Sequence, residues 1–147
     1  MKALRSNMRK RVKNMKWEYR AKINTSCFYY EFLKALNGGK QMRDVWSFPA
    51  IAPWEKSCGK HPTQKPLALL VRLLLMSSNE NSLICDPFSG SSTTGIAANL
   101  LNRKFVGIEQ ESEFIGISVK RKKELEHYTE SIESKIKDLA FYKKTLL

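Results

Sequence analysis

Apolar residues recur along this chain in two rhythms, and their alternation predicts an α/β architecture. Ser82 to Cys85 is a short apolar run that reads as a buried strand, and Pro87 bars a helix from crossing it, so the strand is expected to end at Asp86. A glycine-bearing loop follows, Phe88, Ser89, Gly90, Ser91 and Ser92. Thr93 to Leu101 then supplies an Ala/Leu-rich helix whose first-turn amides point back at that loop. Asn102 to Lys104 turns the chain, and Phe105 to Ile108 is a second β-prone run ending in Glu109. Upstream, Pro66 to Ser78 is apolar on nearly every face, with Arg72 its only charge, and predicts a helix buried against a sheet with Pro66 at its start.

Downstream, a long helical pattern begins near Glu111. Its first turn holds Glu111 and Glu113, and Lys120 to Lys123 come later, a charge order that suits the helix dipole. Leu125, Tyr128, Ile132, Ile136 and Leu139 recur at helical steps and form one apolar stripe. The stripe needs a partner, which is either this chain's own sheet or, where the helix outruns it, a second chain. Near the other end, Thr25 to Asn37 reads as a short helix stopped by Gly38 and Gly39. Asp44 to Phe48 is a possible third strand, and Pro49 to Gly59 reads as a loop. Two or three strands fall short of the five or more of a doubly wound sheet. The expected sheet therefore has open edges and faces, to be completed by another polypeptide or left marginal in stability.

Charge points to a partner class only through its distribution. The 147 residues carry a formal net charge of +12, and residues 1–65 hold 15 of the 26 Lys and Arg against 4 of the 14 acids. Such an asymmetry predicts contact with a polyanion, of which nucleic acid is the usual one, or else a solvated or disordered arm. Arg9, Lys10, Arg11, Lys13 and Lys16 are the candidate DNA-contacting residues, with Trp17 and Tyr19 offering stacking surface among them or anchoring the arm to a core. Cys27, Cys58 and Cys85 show no paired spacing and His61 and His127 lie far apart, so neither a disulfide framework nor a metal site is expected. The longest apolar run, Leu67 to Met76, is broken by Arg72 and too short to span a bilayer, and no signal peptide is seen; a soluble, cytoplasmic protein is expected.

The order strand, loop, helix, strand, acid is one that binds nucleotides. Glu109 lies about 20 residues beyond the loop, where an acid can accept hydrogen bonds from ribose hydroxyls. Neither G-x-G-x-x-G nor G-K-[ST] occurs. Asp86 at the strand's carboxyl end would repel a pyrophosphate but attract a ligand carrying an ammonium and a sulfonium, such as S-adenosylmethionine. In His61 to Pro66, the residues Thr63, Gln64 and Lys65 present a hydroxyl, an amide and a cation close to a helix N-terminus, a set that suits a carboxylate.

DPFSGSSTTG at 86–95, GIEQ at 107–110 and GKHPTQKP at 59–66 resemble the cofactor-binding half of bacterial DNA amino-methyltransferases. The resemblance covers roughly residues 44–123. It is to the permuted subgroup, in which the catalytic segment precedes the cofactor segment. It implies an incomplete Rossmann-like methyltransferase fold with a basic arm and short helix at 1–43, a cofactor-binding segment at 44–123 and a helical extension at 124–147. It also implies S-adenosylmethionine held by His61, Thr63, Gln64, Lys65, Asp86, Phe88, Gly90, Ser91, Ser92, Thr93 and Glu109, with HPTQKP at the methionine end. Ser92 stands where the family usually has a second glycine, which predicts a slightly wider approach of the loop to the cofactor.

Members of this family methylate the exocyclic nitrogen of adenine or cytosine and hold the base with an Asp/Asn/Ser-Pro-Pro-aromatic segment. No Pro-Pro pair occurs in these 147 residues. The expectation is thus a fragment or subunit of an adenine-N6 methyltransferase of a restriction-modification system, binding cofactor and DNA, without catalytic residues of its own and inactive alone. A second polypeptide would carry the missing half. Three other readings stay open: a nicotinamide-nucleotide domain, a noncatalytic DNA-binding module and an RNA methyltransferase of related architecture.

Overall fold

A computed structural model describes residues 33–139 and Tyr142. The chain divides into two compact units, residues 1–44 with 144–147, and residues 45–143. In the described part of the first unit, residues 33–36 are helical. The Gly39 N–H donates to Lys34 O at 2.8 Å, and Gly38 and Gly39 take positive φ of 68° and 85°, so glycine ends the helix as the sequence predicts.

The second unit holds α1 (Leu67–Ser77), β1 (Leu83–Asp86), α2 (Thr93–Leu100), β2 (Lys104–Gly107) and α3 (Ser112–Lys135). β1 and β2 pair in parallel with Leu83 opposite Lys104 and Asp86 opposite Gly107, and α2 is the crossover between them. This is the α/β unit of a Rossmann-like sheet, and it is incomplete: two strands are present among the described residues. Asn81 and Asn102, at φ 63° and 58°, make the left-handed turns that lead into the two strands, and the Asn81 N–H donates to Asn102 O at 2.8 Å.

α2 is the centre of the unit. Thr93, Gly95, Ile96, Ala97, Ala98 and Leu100 are all buried, and its neighbours are α1, both strands and α3. Small residues allow this close packing. A Cβ on Gly95 would lie 2.6 Å from the Phe105 ring and 2.4 Å from Ser92 Oγ. The strands show the period of a one-sided sheet: Ile84 and Phe105 are partly covered, whereas Leu83 is 65% exposed and Val106 48% exposed. Cys85 is exposed between them.

Three expectations change. Residues 45–50 form no strand. Arg72 instead draws the rings of Trp46 and Phe48 onto itself at 5.7 and 5.0 Å, and Arg72 Nε donates to Asp138 Oδ2 at 2.5 Å. The interval 49–59, read as a loop, contains a 3-10 turn, Pro53–Lys56. α1 packs chiefly on α2 rather than on a sheet, burying Leu67, Val71, Leu74 and Leu75. Apolarity all round a helix announces burial but does not name the partner.

In α3 the apolar stripe holds at Leu125, and beyond the helix at Ile136 and Leu139, all buried. It breaks at Tyr128, which has non-helical φ −124° and ψ 21° and turns its ring out at 63% exposure. α3 passes without interruption through Lys123 and Glu124, so the expected boundary between a cofactor segment and a C-terminal extension falls inside one helix. No helix among the described residues is long and apolar enough to cross a membrane. Among them no group of three His, Cys, Asp or Glu side chains is placed to hold a metal.

Breaking the buried Arg72–Asp138 pair has a calculable consequence. Asp138→Ala leaves a largely covered guanidinium without its acid, and is expected to cost about 3–5 kcal/mol. Urea midpoints of the variant and of the double variant Arg72→Met/Asp138→Ala check it; the double variant should recover part of the loss.

Candidate functional site

The loop between β1 and α2 is held from three sides. At its start, Asp86 ends β1 and folds back. Its Oδ1 accepts the Phe88 N–H at 3.1 Å and its Oδ2 the Thr94 hydroxyl at 2.6 Å. An aspartate bonding the amide two residues on makes an Asx turn, which is why the strand stops here. The Ser89 N–H donates to Ile108 O at 2.9 Å, extending the pairing past the strand ends. Phe88 stands out from the loop at 88% exposure.

On the β2 side, Glu109 reaches the loop directly. Its Oε2 accepts the Gly90 N–H at 2.8 Å and its Oε1 the Glu111 N–H at 3.0 Å. The Glu111 amide, and after it those of Gly90 and Gln110, hold the carboxyl below its ordinary value, against a smaller opposing effect of burial. The sign follows: a lowered folded-state pKa contributes stability above the unfolded value, and the contribution is lost as pH falls through the folded one. Acidification below the ordinary glutamate range of about 4.3 is therefore expected to loosen the Gly90 amide. NMR monitoring of Gly90 across the acid range, flat in Glu109→Gln, checks this.

On the third side lies the His61 to Pro66 segment. His61 Nδ1 accepts the Thr63 N–H at 3.2 Å, so a neutral ring carries its proton on Nε2. That edge rests on Gly90, where a Cβ would come within 3.0 Å of Nε2. The ring also packs on Phe114 with centroids 4.1 Å apart. Gly90, at φ 52°, is thus required both for its conformation and for its lack of a side chain. Thr63 and Lys65 are exposed, and Thr63 Oγ1 lies 3.4 Å from His61 Nδ1. Gln64 is buried: its Nε2 donates to Glu55 O at 3.0 Å, and its Oε1 accepts the Ser91 hydroxyl at 3.4 Å.

Two residues that sequence reasoning did not single out organise these segments. Glu55 caps α1 from a distance, its Oε2 accepting the Leu67 N–H at 2.8 Å. Arg121, on α3, is 8% exposed, and its Nη1 donates to Ser91 O at 2.7 Å, Ser91 Oγ at 3.1 Å and Thr93 Oγ1 at 2.9 Å. Burial lowers its pKa, opposed by the nearby charges of Glu55 and Glu124. Ser118, one turn earlier, donates to Gly90 O at 3.0 Å.

Ser92 precedes α2 in the left-handed conformation, φ 58° and ψ 39°, with no side-chain cap bond. This is the conformation a glycine adopts freely, and Ser92→Gly is expected to stabilise the chain by about 0.5–1 kcal/mol. A urea midpoint that falls instead would show that the Ser92 hydroxyl contributes more than its backbone costs.

Asp86, Phe88, Gly90, Ser91, Ser92, Thr93 and Glu109 thus stand around one loop, with His61 against Gly90 and Gln64 behind Ser91. Arg9, Lys10, Arg11, Lys13 and Lys16 lie outside the described residues. Two carboxylates end adjacent parallel strands. Each oxygen accepts a hydrogen bond from the loop or its flanks, and a carboxylate has about four acceptor positions, so capacity remains for ligand hydroxyls and cations.

A family model described as DNA methylase matches residues 4–120. The Type II methyltransferase M2.MboI of Moraxella bovis is 56% identical over 98 residues, which are 67% of this chain and 36% of that protein. M.HinfI of Haemophilus influenzae, also a Type II methyltransferase, is 40% identical over 124 residues, 81% of this chain and 34% of that protein. The chain therefore spans about a third of the length of these relatives. The crystal structure of an M1.HpyAVI–SAM complex is similar at 38% identity and TM-score 0.49, over 56% of this chain and 39% of that one.

Proposed function

Since the chain belongs to the DNA methylase family, we propose that it contributes the S-adenosylmethionine-binding part of a site-specific DNA amino-methyltransferase, acting on adenine N6 in a restriction-modification system. One observation carries this: Asp86 and Glu109 close the carboxyl ends of two adjacent parallel strands, with the Gly90 loop drawn between them. Two acids at one crevice suit a cofactor bearing a sulfonium and an ammonium, whereas they oppose the pyrophosphate of a nicotinamide dinucleotide.

The cofactor supplies an activated methyl group. This chain's residues bind and orient it: Glu109 accepts from ribose hydroxyls, Asp86 attracts the cationic end, and the exposed Phe88 ring offers an apolar wall. Calorimetric titration with S-adenosylhomocysteine tests the assignment. Glu109→Ala is expected to weaken binding by about 1–3 kcal/mol, and Asp86→Ala to weaken it as well. Unchanged affinity in a folded Glu109→Ala protein removes Glu109 from the site, and tight binding of NAD without binding of S-adenosylhomocysteine overturns the reading.

DNA is the second ligand. The basic residues 1–22 supply phosphate contacts, so their deletion should flatten the dependence of DNA affinity on salt, because fewer counterions are released. An unchanged slope places the contact elsewhere. The third partner is a polypeptide with a Pro-Pro-aromatic segment, docking on the bare sheet face that carries Leu83, Cys85 and Val106.

A further inference from the structure

From the convergence of three hydrogen bonds on Arg121 Nη1 we infer that Arg121, with Ser118, is a positioning residue for the cofactor loop, holding it open and preformed from behind. This deepens the cofactor assignment above and rests on it for the ligand's identity, but the brace itself is a property of the chain alone.

A loop whose conformation is to be fixed before a ligand arrives gains from having its carbonyls engaged by a neighbouring element. Here they are. Gly90 O lies 3.0 Å from the Ser118 hydroxyl, which divides its one proton between Gly90 O and Phe114 O at 2.9 Å, and Ser91 O accepts from Arg121 Nη1 at 2.7 Å. Both donors come from one face of α3, since positions 118 and 121 are three residues apart. Arg121 also holds the Ser91 and Thr93 hydroxyls. Ser91 in turn donates to Gln64, so the brace ties the segment 61–66 and the loop 88–93 to the same helix. A buried guanidinium would be costly without compensation. The charges of Glu55 and Glu124 oppose part of that burial cost, and Glu55 also receives the first amide of α1. Two segments far apart in sequence are thereby set in register before any ligand arrives, which reduces the ordering that binding must otherwise supply.

Nη1 carries two protons for these three acceptors, so one is shared; a lysine ammonium, one atom shorter, still offers donors there, whereas the methionine thioether offers none. The test is run on the full chain with Arg121→Met, Arg121→Lys and Ser118→Ala. Without ligand, hydrogen exchange at residues 90–94 should quicken about tenfold in Arg121→Met and by a smaller factor in Ser118→Ala, while residues 104–107 keep their rates. Arg121→Lys should restore most of the protection. Calorimetry with S-adenosylhomocysteine should show affinity falling about tenfold in Arg121→Met and staying within about threefold in Arg121→Lys. If Arg121→Met does not fold, Ser118→Ala decides alone, since its side chain is only half-buried.

Unaltered loop exchange in Ser118→Ala and in a folded Arg121→Met overturns the brace. Faster exchange with unchanged affinity overturns its role in positioning. Faster exchange in a chain whose wild type does not bind S-adenosylhomocysteine keeps the brace and removes the cofactor assignment instead.

Discussion

Purified alone, the 147-residue chain is expected to bind S-adenosylhomocysteine and to transfer no methyl group to unmodified genomic DNA. Adding a polypeptide with a Pro-Pro-Tyr segment is expected to bring transfer back. Methyl transfer to an amine is an in-line displacement, and the acceptor nitrogen must be aligned with the sulfonium by residues that grip the extruded base. Orientation of that kind is worth about 7–11 kcal/mol of barrier. On the proposed assignment the described loop, strands and helices orient a donor; the chain has no Pro-Pro pair to grip an acceptor. Incorporation of labelled methyl, measured with and without the added polypeptide, gives the answer. Docking can be tested separately: Leu83→Lys/Val106→Lys alters two exposed positions, so cofactor binding should survive and rescue should fail. Robust transfer by the chain alone would show an acceptor pocket among its own residues.

A second large effect is expected at Gly95. Gly95→Ala places a methyl group 2.4 Å from Ser92 Oγ and 2.6 Å from the Phe105 ring, which is itself wedged between α2 and β2. The ring and the Ser92 hydroxyl must both shift to admit it, and the expected loss is about 1–3 kcal/mol despite the better helix propensity of alanine. Gly116→Ala is the matched control. Nothing lies within 4 Å of a Cβ there, so the same change in α3 should stabilise by about 0.5–1 kcal/mol. Urea midpoints of opposite sign for the two variants are the result to look for. The same sign would mean that Phe105 relaxes freely.

Local pattern made β1, α2, β2 and the start of α3 legible, because each is a short segment whose period and stop signals are written in consecutive residues. Asp86 was legible as the end of β1 and Glu109 as an acid just beyond β2, and the parallel pairing sets Asp86 opposite Gly107. Tertiary choices were not legible. Trp46 and Phe48 have strand-like composition, yet they cover Arg72, a preference that β-propensity does not encode. Arg121 was hidden inside the run Lys120 to Lys123 and read only as part of a charge order that suits the helix dipole. Helical phase carried the missing signal: Ile117, Arg121 and Leu125 fall four residues apart on the buried face. Glu55 had no such signal, since its partner at Leu67 is twelve positions away.

The sheet face that shows Leu83, Cys85 and Val106 also bears on how long the protein survives in a cell. An exposed apolar strand surface with open edges is what chaperones hold and what like strands of neighbouring molecules extend. The steady-state amount of this chain should therefore follow the supply of whatever covers that face. Made in excess over the proposed partner, it is expected to be cleared or to precipitate, so that its abundance would follow stoichiometry more than its own rate of synthesis.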